Sequence, residues 1–474
     1  MATISARRRA PAMPSDIVIV GGGVAGIAAA VVAARSGCSV TLLDSGSAVG
    51  GQYYRGAKSP ESGSGLSYEA LRRAFDELVV ARGIDRRLDT YVYSLARRDS
   101  GFVVRTRGDD RHRGDVDVLE SRAVVIATGA FDKQLPFPGW TLPGVMSGGG
   151  AQALVKGSDV LPGQRIVVAG TGPFLLAVTY ALISAGGNVI AVVEANDPVG
   201  LARHAWSVLP AAGKSADLAK FVTALAKKRV PYLRRHRVRR ASGTGHLESV
   251  TISRVDGDWR GIAGSERIWE CDALAIGYGF TAQTDLAGQV GARMRIGSDG
   301  GLAVEVDERQ RTSVPALMAA GETTGIGGVD LARMEGLIAG VAAVEQCGRQ
   351  AALSDAAIAR GMRDVLKLRR FADALHFAFP VRDGWRDDVD DQTLVCRCEE
   401  VSASKVRGAV SDLGARDARS VKLLTRAGMG WCQGRICAPA VDALCRFDSA
   451  ASLIGGSYRP VAVPVPLGAI AAES

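Results

Sequence analysis

A pattern written twice governs this chain: an apolar strand, a glycine turn, an apolar helix and a second apolar strand closed by an acid. In the first copy DIVIV (Asp16 to Val20) leads into Gly21-Gly22-Gly23-Val24-Ala25-Gly26, then IAAAVVAARSG, then CSVTLLD ending at Asp44. In the second, RIVVAG leads into Gly170-Thr171-Gly172-Pro173-Phe174-Leu175, then the rest of LLAVTYALISAGG, then NVIAVVE ending at Glu194. Strands alternating with helices in this way predict parallel sheets covered by helices, so the expected class is α/β with two Rossmann-like dinucleotide-binding domains. Gly21 permits the tight turn, Gly23 lets the main chain approach a pyrophosphate, and Gly26 lets helix and strand pack closely. The helix N-terminus adds amide donors for an anion. Asp44 is placed to accept hydrogen bonds from a ribose diol and would repel a 2′-phosphate. In the second copy Gly170 and Gly172 keep the turn, and Glu194 keeps the acid that favours NAD(H). Leu175 replaces the third glycine, which leaves two readings open: a working NAD(H) site, or a fold that has lost its ligand.

The chain has 474 residues, enough for about three domains. Hydrophobic residues at 47% and charged residues at 23% match an ordinary globular mixture and exclude disorder throughout. The net charge of +9 is modest for this length. Its densest stretch, KKRVPYLRRHRVRR from Lys227 to Arg240, alternates like a solvated strand, so no nucleic-acid partner is expected. No apolar run approaches the roughly 18 residues needed to cross a bilayer, and no transmembrane segment is expected. The basic N-terminal cluster is followed by apolar residues that are broken by Gly21, Gly22 and Gly23 and continue into a strand, turn and helix, unlike an export signal. Eight unevenly spaced cysteines suit metal or redox use in a reducing compartment, so a cytoplasmic location is the expectation.

Four of those cysteines lie near the C-terminus, in LVCRCEEVS and GMGWCQGRICAPAV: Cys396, Cys398, Cys432 and Cys437. Four thiolates satisfy a [2Fe–2S] cluster, two per iron. Arg397, Arg426 and Arg435, with Gly428, Gly430 and Gly434, are placed to supply cations and amide donors to its negative charge. Tetrahedral zinc also takes four cysteines, although its usual first pair is spaced by about two to four residues rather than one. Cys38, Cys271, Cys347 and Cys445 lack a matching partner spacing and read as small packed hydrophobes. No CxxC pair lies near either glycine turn, so a disulfide-reductase mechanism has no thiols to use, and no general acid or base is named.

Further segments carry a family resemblance. AVVIATGAFDKQLPFPG (Ala123 to Gly139), PALMAAGETTGIGG (Pro315 to Gly328) and GGQYYRG (Gly50 to Gly56) resemble the corresponding motifs of two-dinucleotide flavoproteins. That likeness implies FAD, with the main chain at Thr128 and Gly129 near its adenosine half and the backbone of Gly51 and Gln52 passing the flavin. It also implies that Gly321 and Glu322 form the closing flavin motif, with Glu322 accepting hydrogen bonds from ribityl hydroxyls; the family usually has Asp there, one methylene shorter. The four-cysteine segment resembles the bacterioferritin-associated-ferredoxin-like [2Fe–2S] module. Joined, they resemble the alpha subunits of heteromeric amino-acid dehydrogenases, the group of D-hydroxyproline dehydrogenase, opine oxidase and hydrogen cyanide synthase. The resemblance implies a hetero-oligomer in which a separate catalytic flavoprotein (beta) subunit oxidises the carbon–nitrogen bond of a secondary amine or amino acid. It implies an FMN at a subunit boundary, leaves room for a small ferredoxin-like (gamma) subunit, and makes this chain an electron relay.

The expected organisation is an FAD-binding domain over 14–159 and 283–360, interrupted by an NAD(H)-binding-like insertion over 160–282. A polar connector over 361–390, the [2Fe–2S] domain over 391–446 and a loosely attached tail over 447–474 follow. Two other classes stay open: a self-contained NADH-dependent reductase passing electrons to a soluble acceptor, and a zinc-stapled non-enzymatic scaffold.

Overall fold

The computed structural model describes residues 15–54, 68–108, 116–197, 215–447 and 459–471. The N-terminal basic cluster, Arg55 and Gly56 of the GGQYYRG segment, and residues 448–458 of the tail lie outside the described residues. The chain divides into two compact units, one of Met1–Ala130, Ala282–Ala372 and Ser457–Ser474, the other of Phe131–Thr281 and Asp373–Gly456.

In the first unit, strands Ile84–Arg87, Val40–Leu43, Ser15–Val20 and Val116–Ile126 lie side by side and parallel, and Leu317–Ala319 joins the last of them. Tyr91–Arg98 and Gly101–Arg107 add to Val116–Ile126 as antiparallel strands, and in the first of these buried Val92, Tyr93 and Leu95 give way to exposed arginines. Helix Val24–Arg35 has no polar face: every residue from Val24 to Ala33 is buried. It is covered by helix Val329–Gln346, and the two backbones nearly touch. A methyl on Gly336 would stand 2.1 Å from the Ala25 carbonyl oxygen, and one on Gly340 2.8 Å from that of Ala29.

The tail is a correction to the expectation of a loose terminus. Arg459 pairs with Asp285 at 2.9 Å, Ala462 donates its amide to Tyr93 O at 2.7 Å, and the Arg107 guanidinium reaches Pro464 O at 2.9 Å. Ala462 is buried in the core of the first unit. Backbone groups and one charge pair hold it, and neither is visible in a proline-interrupted apolar sequence.

The second unit begins at Phe131, earlier than the expected 160, because strand Val145–Ser147 pairs with Ala273–Gly277. Its parallel sheet runs Tyr232–Arg234, Val189–Glu194, Ile166–Gly170, Ala273–Gly277, Val145–Ser147. An antiparallel sheet of His236–Ser242, Ser249–Arg254 and Arg267–Glu270 accompanies it. Most of the basic stretch falls on strands Tyr232–Arg234 and His236–Ser242, and its arginines there are paired with acids. Arg237 and Arg239 both pair with Asp388, Arg235 with Asp197, and Arg240 with Asp390.

Residues 361–390, expected as a polar connector, are more structured than that. They comprise the later part of helix Asp355–Ala378 and a short 3-10 helix, Asp383–Asp388, whose Trp385 is buried. From there the chain enters the four-cysteine module: the hairpin Leu394–Cys396 with Val401–Ser402, then helices Ala403–Ser411, Ala418–Thr425 and Ala438–Cys445. Val395, Val406, Val421 and Val441 of this module share one apolar core with Val167, Val193, Val250 and Ile276 of the preceding fold. Trp140 Nε1 donates to Leu394 O at 2.6 Å, and module and sheet are therefore one packed body within the second unit.

Candidate cofactor sites

The first glycine turn is built by close backbone approach. Gly21 has φ +111, and a methyl there would stand 2.1 Å from Ala127 O; a methyl on Gly26 would stand 1.8 Å from Gly21 O. Gly21 accepts no other residue without moving the neighbouring strand's end, and Gly26 none without moving the helix from the turn. Gly23 differs, since the nearest atom to an added methyl is Gly51 Cα at 3.9 Å, which leaves the main chain approachable. Asp44, half-buried, accepts the amides of Gly22 and, at 2.6 Å, Gly46. Thus Gly21, Gly23, Gly26, Asp44 and Gly51 converge on one end of the parallel strands, where open α/β sheets bind their ligands. Gln52 follows with an exposed side chain.

Thr128 and Gly129 follow the neighbouring strand Val116–Ile126 at the same edge. Thr128 Oγ1 donates to Gln283 O at 3.0 Å and lies 3.2 Å from Thr323 Oγ1, which brings in the closing motif. Gly321 is packed so that a methyl would meet Ala25 Cβ at 3.1 Å. Glu322 turns back on its own loop, accepting the Gly328 amide at 3.2 Å, and loss of solvent pushes its carboxyl above the usual carboxylate range. Sequence reasoning missed the pair that holds this loop. Glu335, 1% exposed, accepts Gly321 N and Thr324 Oγ1, both at 2.9 Å, and is ion-paired with Arg369. Arg369 also donates to Gly325 O at 2.9 Å. Burial raises the Glu335 carboxyl while Arg369 opposes it. Two isolated charges on different helices give no motif; only the fold brings them together.

The second turn is tight in the same way, with a methyl on Gly170 standing 1.8 Å from Gly277 O. Leu175 fills the third glycine's place and is fully buried. Glu194 is 0% exposed. Its Oε1 accepts Thr171 Oγ1 at 2.7 Å and Asn196 N at 2.8 Å, its Oε2 accepts Gly172 N at 2.8 Å, and the Tyr232 hydroxyl is a further partner. Burial pushes this carboxyl up to about 7 against those four hydrogen bonds.

The four thiols of the module are joined in series, Cys398 to Cys432, Cys432 to Cys437, and Cys437 to Cys396. Among the described residues no three His, Cys, Asp or Glu converge to hold a single metal ion. Backbone amides of Gly428, Glu399 and Cys398 point at the Cys396 sulfur, and those of Ile436 and Gly434 at Cys432. Thiol contacts and these donors lower Cys396 to about 6 and Cys432 to about 5, whereas Cys437 and Cys398 are raised. Gly430 is wedged on the first pair: a methyl there would stand 2.2 Å from Cys398 Cβ. Of the expected cations, Arg426 is paired with Glu399 at 2.8 Å, Arg397 lies over the Trp140 ring, and Arg435 over Phe131 with Nη1 3.4 Å from Cys432 O. Sulfur donors cradled by main-chain amides suit an iron–sulfur group, whose charge such donors stabilise. Elsewhere, Cys271 is buried as expected of a packed hydrophobe, while Cys38 and Cys347 share a thiol hydrogen bond that their distant sequence positions do not announce.

Comparison with known proteins places the chain among recognised families. The pyridine nucleotide-disulphide oxidoreductase family model matches residues 15–336, and the BFD-like [2Fe-2S] binding domain matches residues 394–446. The chain is 34% identical over 431 residues to hydrogen cyanide synthase subunit HcnB of Pseudomonas aeruginosa, covering 89% of this chain and 90% of that protein. It is 31% identical over 461 residues to an opine oxidase subunit of Rhizobium meliloti, covering 94% of this chain and 84% of that protein. L-proline dehydrogenase from P. horikoshii shares the fold, with a TM-score of 0.67 at 21% identity over 98% of this chain and 80% of that one. No helix among the described residues is long and apolar enough to cross a membrane. The chain belongs to the pyridine nucleotide-disulphide oxidoreductase family, in the branch of flavin- and iron–sulfur-containing oxidoreductase subunits that includes HcnB and its opine oxidase counterpart.

Proposed function

We propose that this chain is the electron-transfer subunit of a heteromeric dehydrogenase that oxidises a secondary amine or amino acid, with carbon–nitrogen oxidation carried out on a separate flavoprotein subunit. The observation that carries the reading is the thiol quartet, in a module that shares its core with a dinucleotide fold on a chain whose relatives are named as subunits. Asp44 and the amides of the first turn would hold the adenosine ribose and pyrophosphate of FAD, and the Glu335–Arg369 pair would fix the loop carrying Glu322 against the ribityl chain. Cys396, Cys398, Cys432 and Cys437 would hold the [2Fe–2S] cluster. FAD exchanges electrons in pairs or singly, and an iron–sulfur cluster singly, which suits the two to a relay. The chain's own contribution is to orient these groups and to keep amide donors on the sulfurs. An FMN and a small ferredoxin-like subunit fit the same scheme at the boundary between chains.

The test is expression with and without neighbouring subunits, followed by anaerobic assay. The chain alone is expected to contain flavin and iron yet oxidise no amine, and to support turnover once a catalytic partner is added. Amine oxidation by the purified chain alone contradicts the reading.

A further inference from the structure

The second glycine turn is the part of the molecule that the relay does not use, and its family implies a pyridine nucleotide there. Its residues do not fit one. A ribose diol must donate to open lone pairs on the acid that ends the second strand. An ionised carboxylate has about four such positions. At Glu194 three donors already occupy them, Thr171 Oγ1 and Asn196 N on Oε1 and Gly172 N on Oε2, with the Tyr232 hydroxyl beside the carboxyl. No part of the residue reaches solvent.

The main chain of the turn is engaged as well. Gly172 is the position where main chain must come against a pyrophosphate. Its amide is spent on Glu194. Asn196 bridges the covering segment to the acid's neighbours, since its Nδ2 donates to Thr171 Oγ1 at 2.7 Å and to Pro380 O at 2.9 Å. Trp259, 1% exposed, locks that bridge by donating Nε1 to Asn196 Oδ1 at 3.1 Å.

The covering segment is not an arbitrary loop. Phe379 and Pro380 lead directly into the 3-10 helix Asp383–Asp388, where Gly384 N donates to Asp258 O at 2.8 Å and Asp388 is paired with buried Arg237. Six residues later the first strand of the four-cysteine module begins at Leu394. We infer that the second dinucleotide fold of this chain takes no NAD(H), and that Glu194 and Asn196 instead anchor the strap that carries the cysteine module. An internal peptide has taken the nucleotide's position, and the fold serves as a seat.

The experiment uses the full chain with its cofactors, titrated with NADH and with NAD+ by calorimetry, with amide hydrogen exchange followed in parallel. The expected result is slow exchange at Gly172, Asn196 and Phe379 without nucleotide, unchanged at millimolar NADH. The variant Glu194→Gln is expected to behave identically toward both nucleotides. Saturable nucleotide binding that alters exchange at those amides, or that Glu194→Gln weakens, overturns the inference. Any binding that leaves those amides untouched and is insensitive to the variant occurs elsewhere, and the turn is then engaged as stated. None of these readouts depends on iron content or amine turnover, so the functional proposal stands or falls separately.

Discussion

Gly430 and Glu335 show how single positions control the two candidate cofactor sites. Gly430 has no room for a methyl beside Cys398 Cβ. Overpacking of this kind costs about 1–3 kcal/mol, so Gly430→Ala is expected to lose about half or more of its iron and acid-labile sulfide while keeping its flavin; metal and sulfide assays check it. Glu335→Gln leaves Arg369 without its partner charge, and breaking a buried pair costs about 3–5 kcal/mol. The denaturant midpoint and the flavin retained should both fall in that variant. Glu194 gives a pH prediction with a definite sign. Its folded-state value of about 7 lies above the ordinary 4.5, so the folded chain holds the proton more tightly than the unfolded one. The stabilisation is complete below about pH 4.5 and is lost as pH rises toward 7, on the order of 3 kcal/mol in all. Stability curves of the native chain and of Glu194→Gln should converge in acid and separate toward neutrality, the native chain falling more; parallel curves contradict this role. The glycines and acids at these turns were legible because spacing reports them. The Glu335–Arg369 clamp was not, since neither residue belongs to a motif.

Elements tell a similar story about what a linear pattern can carry. Both strand–turn–helix–strand units form as their apolar runs require, and the turn glycines are where backbones meet. The antiparallel additions to the first sheet were less legible, because strand type is set by which face a neighbour covers. The strap is the clearest case: RDGWRDDVDD reads as polar and solvated, yet Trp385 and Asp388 are buried because Asp258, Arg237 and Arg239 receive them. Helix packing in the first unit offers a test at this scale. Gly336 lets helix Val329–Gln346 touch the first helix at the Ala25 carbonyl. Gly336→Ala should push the helices apart beside the first glycine turn and lower FAD content per chain, measured by absorbance after denaturation, with the iron content unchanged.

For the molecule as a whole, the proposed relay rests on four thiols in a module whose core is continuous with the second dinucleotide fold. Each unit accounts for one part of it: the first gathers the turn, acid and closing loop expected around a flavin, and the second carries the sulfur quartet. The alternatives of NADH reductase and zinc scaffold make different demands on the same atoms. A single determination on anaerobically purified chain tests the relay most directly: flavin, iron, zinc and acid-labile sulfide per polypeptide. The predicted result is one FAD with two irons and two sulfides. Flavin accompanied by zinc, or by neither iron nor sulfide, would contradict it.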